Sequence, residues 1–261
     1  ILAKSTDAGS TFSYRSQMIL VDNAATSTFE NAKKAGLLIA NPADSNHLAG
    51  IFVSAKYENL DVFMYETKDG GFTWTTPIRV NDDPIGNNRM QDMVWGDFDE
   101  QGNLVVTWRD RRNGDDSTFA TQTEIWAAYR HRDSSRFSKN FLLSQNTVAY
   151  DSVLTRAGND FMCVKLHKDT LHAAWGDTRS GNLNIWYTRI DKGGNTLSTA
   201  KIATEQHRVS IYPNPTNGKI YIHGKNITQL TLKDVNGKAV LTKTKDTQTG
   251  KWSIDLSLLP R

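Results

Sequence analysis

The chain has 261 residues, of which 38% are hydrophobic and 23% charged, a balance typical of a folded protein. No stretch approaches the roughly twenty apolar residues that a membrane-spanning helix needs, so we predict no membrane span. Residues 206–261 hold nine Lys/Arg against three Asp/Glu, whereas residues 1–205 hold 22 against 25. The longer part therefore has a net charge of −3, which excludes the basic surface of a nucleic-acid-binding domain, and we predict no nucleic-acid partner.

The first residues predict that the chain is a fragment. Ile1 is not an initiator methionine, no signal peptide follows it, and the sequence begins in the middle of a repeated pattern. We therefore expect the true N-terminus to be missing.

A turn motif centred on an aspartate recurs along residues 1–205. Residues 5–12 (S-T-D-A-G-S-T-F) and 67–74 (T-K-D-G-G-F-T-W) share the pattern S/T-x-D-x-G-x-T-aromatic, and residues 131–137 and 190–196 are weaker copies. The four aspartates are 62, 64 and 58 residues apart, which indicates a repeat architecture. Because a turn aspartate accepts backbone hydrogen bonds and glycine permits positive φ, we predict a structural role for these positions. They are Asp7, Gly9, Phe12, Asp69, Gly71, Trp74, Asp133 and Asp191.

Similar strands flank the copies of this motif. Alternating strands precede it at residues 61–65, 124–129 and 184–188, and short strands follow it at residues 77–80, 140–143 and 200–203. Apolar strands lie further upstream, at residues 48–54, 104–108 and 171–175. One repeat thus predicts four antiparallel strands, named A to D here, with the aspartate turn between C and D. Four-stranded sheets of this size are typical of β-propeller blades.

The aspartate motif resembles the Asp-box, or bacterial neuraminidase repeat, of sialidase-type β-propellers. The resemblance covers residues 1–205 and implies six blades in the whole family fold, of which this chain holds about three and a half. It also implies that any active site lies on the face opposite the Asp-boxes, where the B–C loops meet. Asp-boxes occur in propellers that are not sialidases as well, so the resemblance does not by itself assign an activity.

Two B–C loops share a second motif. Residues 108–114 read W-R-D-R-R-N-G and residues 175–181 read W-G-D-T-R-S-G, whereas residues 54–57 of the preceding repeat lack the pattern. One interpretation is that Arg112 and Arg179 bind the carboxylate of sialic acid, with an acidic role for Asp110 or Asp177. The alternative is that each aspartate pairs with its own arginine and fixes the loop.

Further residues would be needed for catalysis. The resemblance implies an arginine triad, a tyrosine nucleophile helped by a glutamate, and an aspartic acid. The candidates are Tyr150, near a link between blades, and Glu124; Tyr187 lies on an alternating strand, where packing is the expected role. The arginine motif that opens family sialidases is not part of this sequence, so catalysis is not assigned from these residues alone.

The sequence predicts neither a metal nor a cofactor. Its single cysteine, Cys163, excludes an internal disulfide, and the apolar run at residues 161–164 predicts that the thiol is buried. The six histidines lack metal-ligand spacing, and no phosphate loop, C-x-x-C or H-E-x-x-H pattern is present.

A second domain is predicted over residues 206–261. Short alternating strands between proline-containing turns, with an Asn-Gly hairpin in residues 230–240, indicate a small β-sandwich. The motifs Y-P-N-P-x-x-G, D-x-x-G-K and I-D-L-S-x-L-P resemble the type A C-terminal sorting domain of the Bacteroidetes type IX secretion system. That family continues with a final basic strand, so the resemblance implies a truncated domain. A generic carbohydrate-binding β-sandwich is the alternative.

Together these resemblances imply a protein that acts outside the cell, secreted or held at the outer-membrane surface, with the type IX secretion machinery as a partner. Two functions remain open. The first is a glycoside hydrolase, an exo-α-sialidase that releases terminal sialic acid from a glycan or glycoconjugate. The second is a non-catalytic propeller that binds glycans or proteins.

Overall fold

The computed structural model has an all-β fold that divides into two compact units, Ile1–Leu197 and Ser198–Arg261. This confirms the fold class predicted from the sequence. No helix in the part of the chain that the structure describes is long and apolar enough to cross a membrane. The described residues are 1–19, 32–34, 36–149, 161–197, 210–213, 216, 218–224, 227–234, 236–244 and 251–258.

The first unit begins with an antiparallel hairpin of β1 (Leu2–Lys4) and β2 (Ser13–Ser16). The hairpin packs on the turn around residues 67–74. The Ser16 hydroxyl donates a hydrogen bond to the Gly71 carbonyl oxygen and accepts one, 2.9 Å long, from Trp74 Nε1. Trp74 therefore connects neighbouring repeats, as expected for the aromatic residue that ends the motif.

The next sheet, blade 1, contains four strands in simple up-and-down order. They are β3 (Leu37–Asn41), β4 (Asp44–Ser54), β5 (Asp61–Thr67) and β6 (Ile78–Arg79). These strands are the predicted A, B, C and D. β5 is buried along nearly its whole length because it lies inside the sheet and both of its faces are covered.

Blade 2 has the same order. Its strands are β7 (Gln91–Phe98), β8 (Leu104–Asp110), β9 (Glu124–Arg130) and β10 (Phe141–Leu142). The register between β7 and β8 shifts between Asp92 and Trp95, and Met93 has a φ of 53°, which together define a β-bulge at the start of β7.

Blade 3 contains β11 (Met162–His167), β12 (Thr170–Asp177) and β13 (Asn184–Asp191), again in sequence order. Its predicted fourth strand, at residues 200–203, lies outside the described residues. Cys163 is exposed, so the prediction of a buried thiol is wrong. Side chains alternate along a strand, and it is Met162 and Val164 that point to the core.

Adjacent blades pack face to face. Apolar side chains between blades 1 and 2 include Ile51, Val53, Met64, Val94, Phe98 and Val106. Those between blades 2 and 3 include Val105, Ile125, Tyr129, Val164, Leu166 and Leu171. A Cβ atom at Gly96 would lie 2.4 Å from Ile51 Cδ1, so a side chain there would require Ile51 to move at the contact between blades 1 and 2. Successive four-stranded sheets that stack in this way are arranged as propeller blades.

The aspartate turns are closed by hydrogen bonds to the aspartate side chain. Asp69 accepts from Thr73 Oγ1 at 2.6 Å, from the Thr73 backbone N at 3.0 Å and from the Phe72 backbone N at 2.9 Å. These bonds, led by the one from the Thr73 hydroxyl, hold the pKa of Asp69 well below its ordinary value. Gly71 has a φ of 85°, which a residue with a side chain rarely adopts.

The other copies of the turn differ in completeness. Asp7 accepts from Thr11 Oγ1 at 2.6 Å, and this bond contributes most to lowering its pKa to about 2. Asp191 accepts from the Asn195 backbone N at 2.8 Å, so asparagine replaces the threonine. Asp133 is exposed, and no described backbone N–H binds its carboxylate. Phe12, the counterpart of Trp74, is 69% exposed.

The second unit consists of two small sheets around one core. β14 (Ser210–Tyr212), β15 (Lys219–His223) and β18 (Lys251–Asp255) form a three-stranded sheet in the order β14-β15-β18. β16 (Gln229–Lys233) and β17 (Ala239–Thr244) form the predicted hairpin, and Gly237 in its turn has a φ of 82°. Ile220, Ile222, Trp252 and Ile254 pack against Leu230, Leu232 and Leu241 of that hairpin, which gives a small β-sandwich.

Candidate functional site

The B–C loops lie at one end of the blades. In blade 2, β8 ends at Asp110 and β9 begins opposite it at Glu124, so the loop between them projects beyond this end. In blade 3, Asp177 ends β12 in the same way. The aspartate turns follow strand C and lie at the other end. The predicted residues Asp110, Arg112, Glu124, Asp177 and Arg179 therefore share one end of the blades, which we call the B–C end.

The W-x-D-x-R motif of blade 2 forms a compact unit of four side chains. Trp108 Nε1 donates to Asp110 Oδ2 at 2.6 Å, and Arg112 Nε donates to the same oxygen at 3.0 Å. The Arg112 guanidinium lies 4.1 Å from the ring centroid of Trp126 on strand C, within cation–π range. Burial raises the pKa of Asp110 above its ordinary value, although Arg112 acts in the opposite direction.

Arg112 has further partners outside this unit. Its Nη1 donates to Asp82 Oδ1 at 2.8 Å, and its Nη2 donates to Asn140 Oδ1 at 2.9 Å. Asp82 follows the last strand of blade 1, so Arg112 joins two blades. Burial opposes the charge of Arg112, but its ion pairs with Asp110 and Asp82 raise its pKa above the ordinary value.

The motif of blade 3 repeats this unit with fewer partners. Trp175 Nε1 donates to Asp177 Oδ2 at 2.8 Å, Arg179 Nε donates to Asp177 Oδ1 at 2.9 Å, and Arg179 Nη2 also contacts Asp177. The Arg179 guanidinium lies 4.4 Å from the ring centroid of Trp186. Within the described residues, Arg179 has no ion pair with a neighbouring blade.

Blade 1 keeps part of the unit although its sequence lacks the motif. Ser54 and Asp61 pair across strands as Asp110 and Glu124 do in blade 2. Lys56 lies two residues after Ser54, and its Nζ is 6.0 Å from the ring centroid of Phe63. A cation near a strand C aromatic is thus present in all three blades, and the sequence motif revealed only two of them.

Glu124 is 7% exposed and hydrogen-bonded through both oxygens. Its Oε2 accepts from Asn113 Nδ2 at 2.8 Å and from Trp126 Nε1 at 2.9 Å, and its Oε1 accepts from Thr147 Oγ1 at 2.9 Å. These bonds fix the carboxylate in place at the B–C end.

Glu124 also lines a small pocket between blades 2 and 3. The pocket brings together two predicted site residues from different blades, Glu124 and Asp177, and the guanidinium-bearing Arg109. Its lining consists of Met93, Arg109, Thr123, Glu124, Ile125, Ser144, Val148, Gly176 and Asp177.

Polar side chains bridge the equivalent position between blades 1 and 2. Asn81 Nδ2 donates to Asp61 Oδ1 at 2.7 Å and to Gln91 Oε1 at 3.0 Å, and Gln91 Nε2 reaches Asp110 Oδ1 at 3.3 Å. Arg79 Nε adds a bond of 2.8 Å to Asp61. A continuous chain of hydrogen bonds therefore joins the carboxylates of Asp61 and Asp110.

The pocket between blades 2 and 3 is not bridged in this way. Ser144 takes the place of Asn81, because each accepts a hydrogen bond from a strand C backbone N–H, but its side chain is shorter. Among the described residues, no chain of hydrogen bonds joins Glu124 to Asp177. Glu124 and Asp177 thus line one pocket without a hydrogen-bonded bridge between them, and Asp177 is paired with Arg179.

A buried ion cluster adjoins the pocket through Arg109. Asp92 is fully buried and binds Arg109 Nε at 2.7 Å and Arg111 Nη1 at 3.0 Å. Burial alone would raise the pKa of Asp92, but the two arginines lower it well below its ordinary value. Arg111 Nε donates to the Phe119 carbonyl oxygen at 3.1 Å, so the cluster also anchors the B–C loop. Asp92 follows a connection between blades and belongs to no recognisable motif, so the sequence alone did not indicate it.

Of the two candidate tyrosines, the structure describes Tyr187 but not Tyr150. Tyr150 lies outside the described residues, so its candidate role as nucleophile stays a prediction. Tyr187 is 61% exposed on β13, and its hydroxyl lies 2.7 Å from His172 Nδ1. It is not part of the pocket.

Comparison with known families identifies the second unit. Residues 210–261 match the family described as secretion system C-terminal sorting domain. This domain indicates export to the cell surface or the extracellular space, and it implies interaction with the secretion machinery. The predicted location is thereby confirmed.

Several solved structures are similar to the chain at low identity. The α-L-arabinofuranosidase Arb93A of Fusarium graminearum is 15% identical, with 95% of this chain and 73% of that chain covered and a TM-score of 0.45. The α-L-arabinanase of Penicillium chrysogenum is 15% identical, with 91% and 70% covered and a TM-score of 0.43. A Dyadobacter fermentans protein of unknown function is 12% identical, with 97% and 63% covered and a TM-score of 0.43. No curated protein matches the chain.

Proposed function

We propose that this protein is an exported β-propeller that hydrolyses glycosidic bonds at the B–C end. The observation that carries the proposal is that two nearly buried acidic residues from different blades, Glu124 and Asp177, line one pocket together with Arg109, a pocket with room for about one water molecule. Glycoside hydrolases commonly use two carboxyl groups, one as acid and one as base or nucleophile. The hydrogen bonds from Asn113, Trp126 and Thr147 hold the Glu124 carboxylate in a fixed orientation, which a catalytic role requires.

The more specific activity that we propose is that of an exo-α-sialidase. Two features support it: the resemblance of the aspartate turns to Asp-boxes, and the arginines at the B–C end. Arg179 is the better candidate than Arg112 for the carboxylate of the sugar, because Arg112 already binds Asp110, Asp82 and Asn140. In this activity Tyr150 is the candidate nucleophile and Glu124 the glutamate that assists it, so a tyrosine replaces one of the two carboxyl groups of the general scheme.

The test is an assay with fluorogenic glycosides, including an α-sialoside and an α-L-arabinofuranoside. We expect turnover of at least one substrate, and a loss of at least about a hundredfold in kcat for Glu124→Gln and Asp177→Asn. Asp133→Asn, which changes an exposed aspartate at the opposite end, is the matched control and should retain full activity. Turnover of other glycosides but not of the sialoside would contradict the sialidase proposal alone.

A second function is favoured by the same geometry. Asp110 and Asp177 each pair with the arginine of their own loop, as in a purely structural motif. A non-catalytic propeller that binds glycans or proteins is therefore the alternative. If the folded protein turns over none of the glycosides, the hydrolase proposal fails and this alternative takes its place.

A further inference from the structure

Blade 3 has a second face that no sheet covers among the described residues. The face toward blade 2 carries the buried side chains of Met162, Val164 and Leu166. Because side chains alternate along a strand, Cys163 points the other way and is exposed. We call this second side the outer face of blade 3. Its apolar side chains are Phe161, Cys163, Ala174, Ile185 and Tyr187.

Blade 2 shows what a face in this position contacts. The W-x-D motifs align the second strands of blades 2 and 3, so that Ile185 corresponds to Ile125 and, two residues on, Tyr187 corresponds to Ala127. Ile125 is 5% exposed and Ala127 0%, because blade 3 packs on them. Ile185 is 65% exposed and Tyr187 is 61% exposed. The outer face of blade 3 therefore occupies the position of a contact between blades, and the surface that fits it is another apolar sheet face.

The outer face holds a cavity and a projecting ring beside each other. The cavity has a volume of about 190 Å³ and is lined by Phe161, Met162, Cys163, Ala174, Trp175 and Ile185. Since a cavity of roughly 150 Å³ can hold a benzene molecule, this one has room for a tyrosine ring. Tyr187 lies beside the cavity on the same strand as Ile185, and its hydroxyl is 2.7 Å from His172 Nδ1. One face thus carries both a projecting ring and a cavity of matching size, as a surface that contacts a copy of itself requires.

The charges on this side of the blade lie away from the apolar half. The described cations, Lys165, His167, His172 and Arg189, all lie toward the end of the aspartate turns. Lys165 and His167 are each 3.1 Å from a carboxylate of blade 2. A two-fold axis that crosses the strands at the apolar half brings the cationic ends of two copies to opposite edges of the contact. Like charges therefore do not face each other there.

We propose that two copies of this protein associate through the outer faces of their third blades, with Tyr187 of each copy in the cavity of the other. The contact continues between two chains the face-to-face packing that joins blades 1, 2 and 3 within one chain. Because each copy uses the same surface, the association is closed at two copies. The inference does not rest on the proposed hydrolysis, because it involves neither Glu124 nor Asp177.

The test is light scattering of the whole protein during size-exclusion chromatography, over a range of concentrations and with a reductant present. We expect a dimer that dissociates on dilution. Tyr187→Glu places a charge in an apolar cavity and should raise the dissociation constant at least about a hundredfold, and Ile185→Glu should act in the same direction. Tyr187→Phe keeps the ring and should dimerise almost normally. Tyr14→Glu, at a 66% exposed tyrosine of the first hairpin, is the matched control and should dimerise like the parent protein.

Cys163 provides a separate test of the symmetry, because it is the single cysteine of the chain and lines the cavity. A short bismaleimide should join two parent chains, but not two Cys163→Ser chains or two Tyr187→Glu chains. Circular dichroism should show the parent fold in every variant, since the substituted side chains are exposed.

Four results would overturn the proposal. The first three are a monomer at every concentration, a dimer that survives both glutamate substitutions in blade 3, and a dimer whose cysteines the bismaleimide does not join. The fourth is dissociation of the dimer by Tyr14→Glu, which would place the first hairpin in the contact instead of a second blade 3.

Discussion

Arg112 and Arg179 hold equivalent positions in the same motif, yet their surroundings differ. Arg112 forms ion pairs with Asp110, Asp82 and Asp83, whereas Arg179, among the residues that the structure describes, pairs with Asp177 only. Asp110 and Asp177 are nearly fully buried. Removal of Arg112 or Arg179 therefore leaves a buried carboxylate without its main partner. The cost should be greater in blade 2, where a contact between blades is lost as well.

We therefore expect Arg112→Ala to lower the free energy of unfolding by about 3–5 kcal/mol and Arg179→Ala to lower it by about half as much. Urea unfolding followed by tryptophan fluorescence measures both, and Arg132→Ala, at an exposed position, serves as the control. Equal losses for the two variants would show that the contacts of Arg112 with Asp82 and Asn140 add little.

Single residues also show where sequence reasoning ends. The W-x-D-x-R spacing was enough to predict that each aspartate could pair with the arginine of its own loop. The sequence did not indicate Lys56 or Asp92, because their roles depend on register. Lys56 lies near Phe63 only because Ser54 pairs with Asp61, and Asp92 meets Arg109 and Arg111 only after a bulge.

At the level of strands, an ion cluster joins blades 1 and 2 at the end of the aspartate turns. Glu66 on β5 binds Arg130 on β9, at 3.0 Å between Oε2 and Nη1, and also contacts His47 Nε2. Asn41 Nδ2 lies 2.9 Å from His47 Nδ1, and Asn41 Oδ1 is fixed by the Ala43 backbone N. This arrangement makes Nδ1 the acceptor, so that His47 donates to Glu66 through Nε2.

This cluster predicts a loss of stability in acid. Burial alone would raise the pKa of Glu66, but hydrogen bonds from His47 and Arg130 lower it from 4.5 to about 2. A lowered carboxyl pKa stabilises the fold above the unfolded-state value, and the contribution disappears as pH falls from about 4.5 to 2. We expect the free energy of unfolding to drop by on the order of 2 kcal/mol across this window through Glu66 alone.

The measurement compares urea unfolding of the parent protein and Glu66→Gln at several pH values between 5 and 2. The variant should be less stable at pH 5 and should lose less stability on acidification. Glu58→Gln changes an exposed carboxyl and should follow the parent curve. A Glu66→Gln curve parallel to that of the parent would contradict the role assigned to this carboxylate.

The strand order was largely predictable, because alternation, turn residues and a period near sixty all point to the same four-stranded unit. The packing between blades could not be predicted from the sequence. Whether polar residues bridge two blades, as Asn81 and Gln91 do, or leave a pocket, as beside Ser144, depends on which side chains meet across the interface. A single sequence does not fix those contacts in advance.

At the level of the whole molecule, the two units have separate cores. The large cores of the first unit lie between its blades, whereas the second unit relies on Ile220, Ile222, Trp252, Ile254 and a few partly buried neighbours. A domain of this small size buries a lower fraction of its surface and is correspondingly less stable. We therefore expect two thermal transitions, with the second unit unfolding at the lower temperature.

Calorimetry of paired variants tests this expectation. Ile222→Ala removes a side chain that is 4% exposed and should lower only the first transition, at a cost of about 2–5 kcal/mol. Ile211 is the cross-strand neighbour of Ile222 but is 52% exposed. Ile211→Ala should therefore leave both transitions nearly unchanged. Val106→Ala, in the core between blades 1 and 2, should lower only the second transition. A single transition that all core variants shift together would mean that the two units unfold as one cooperative body.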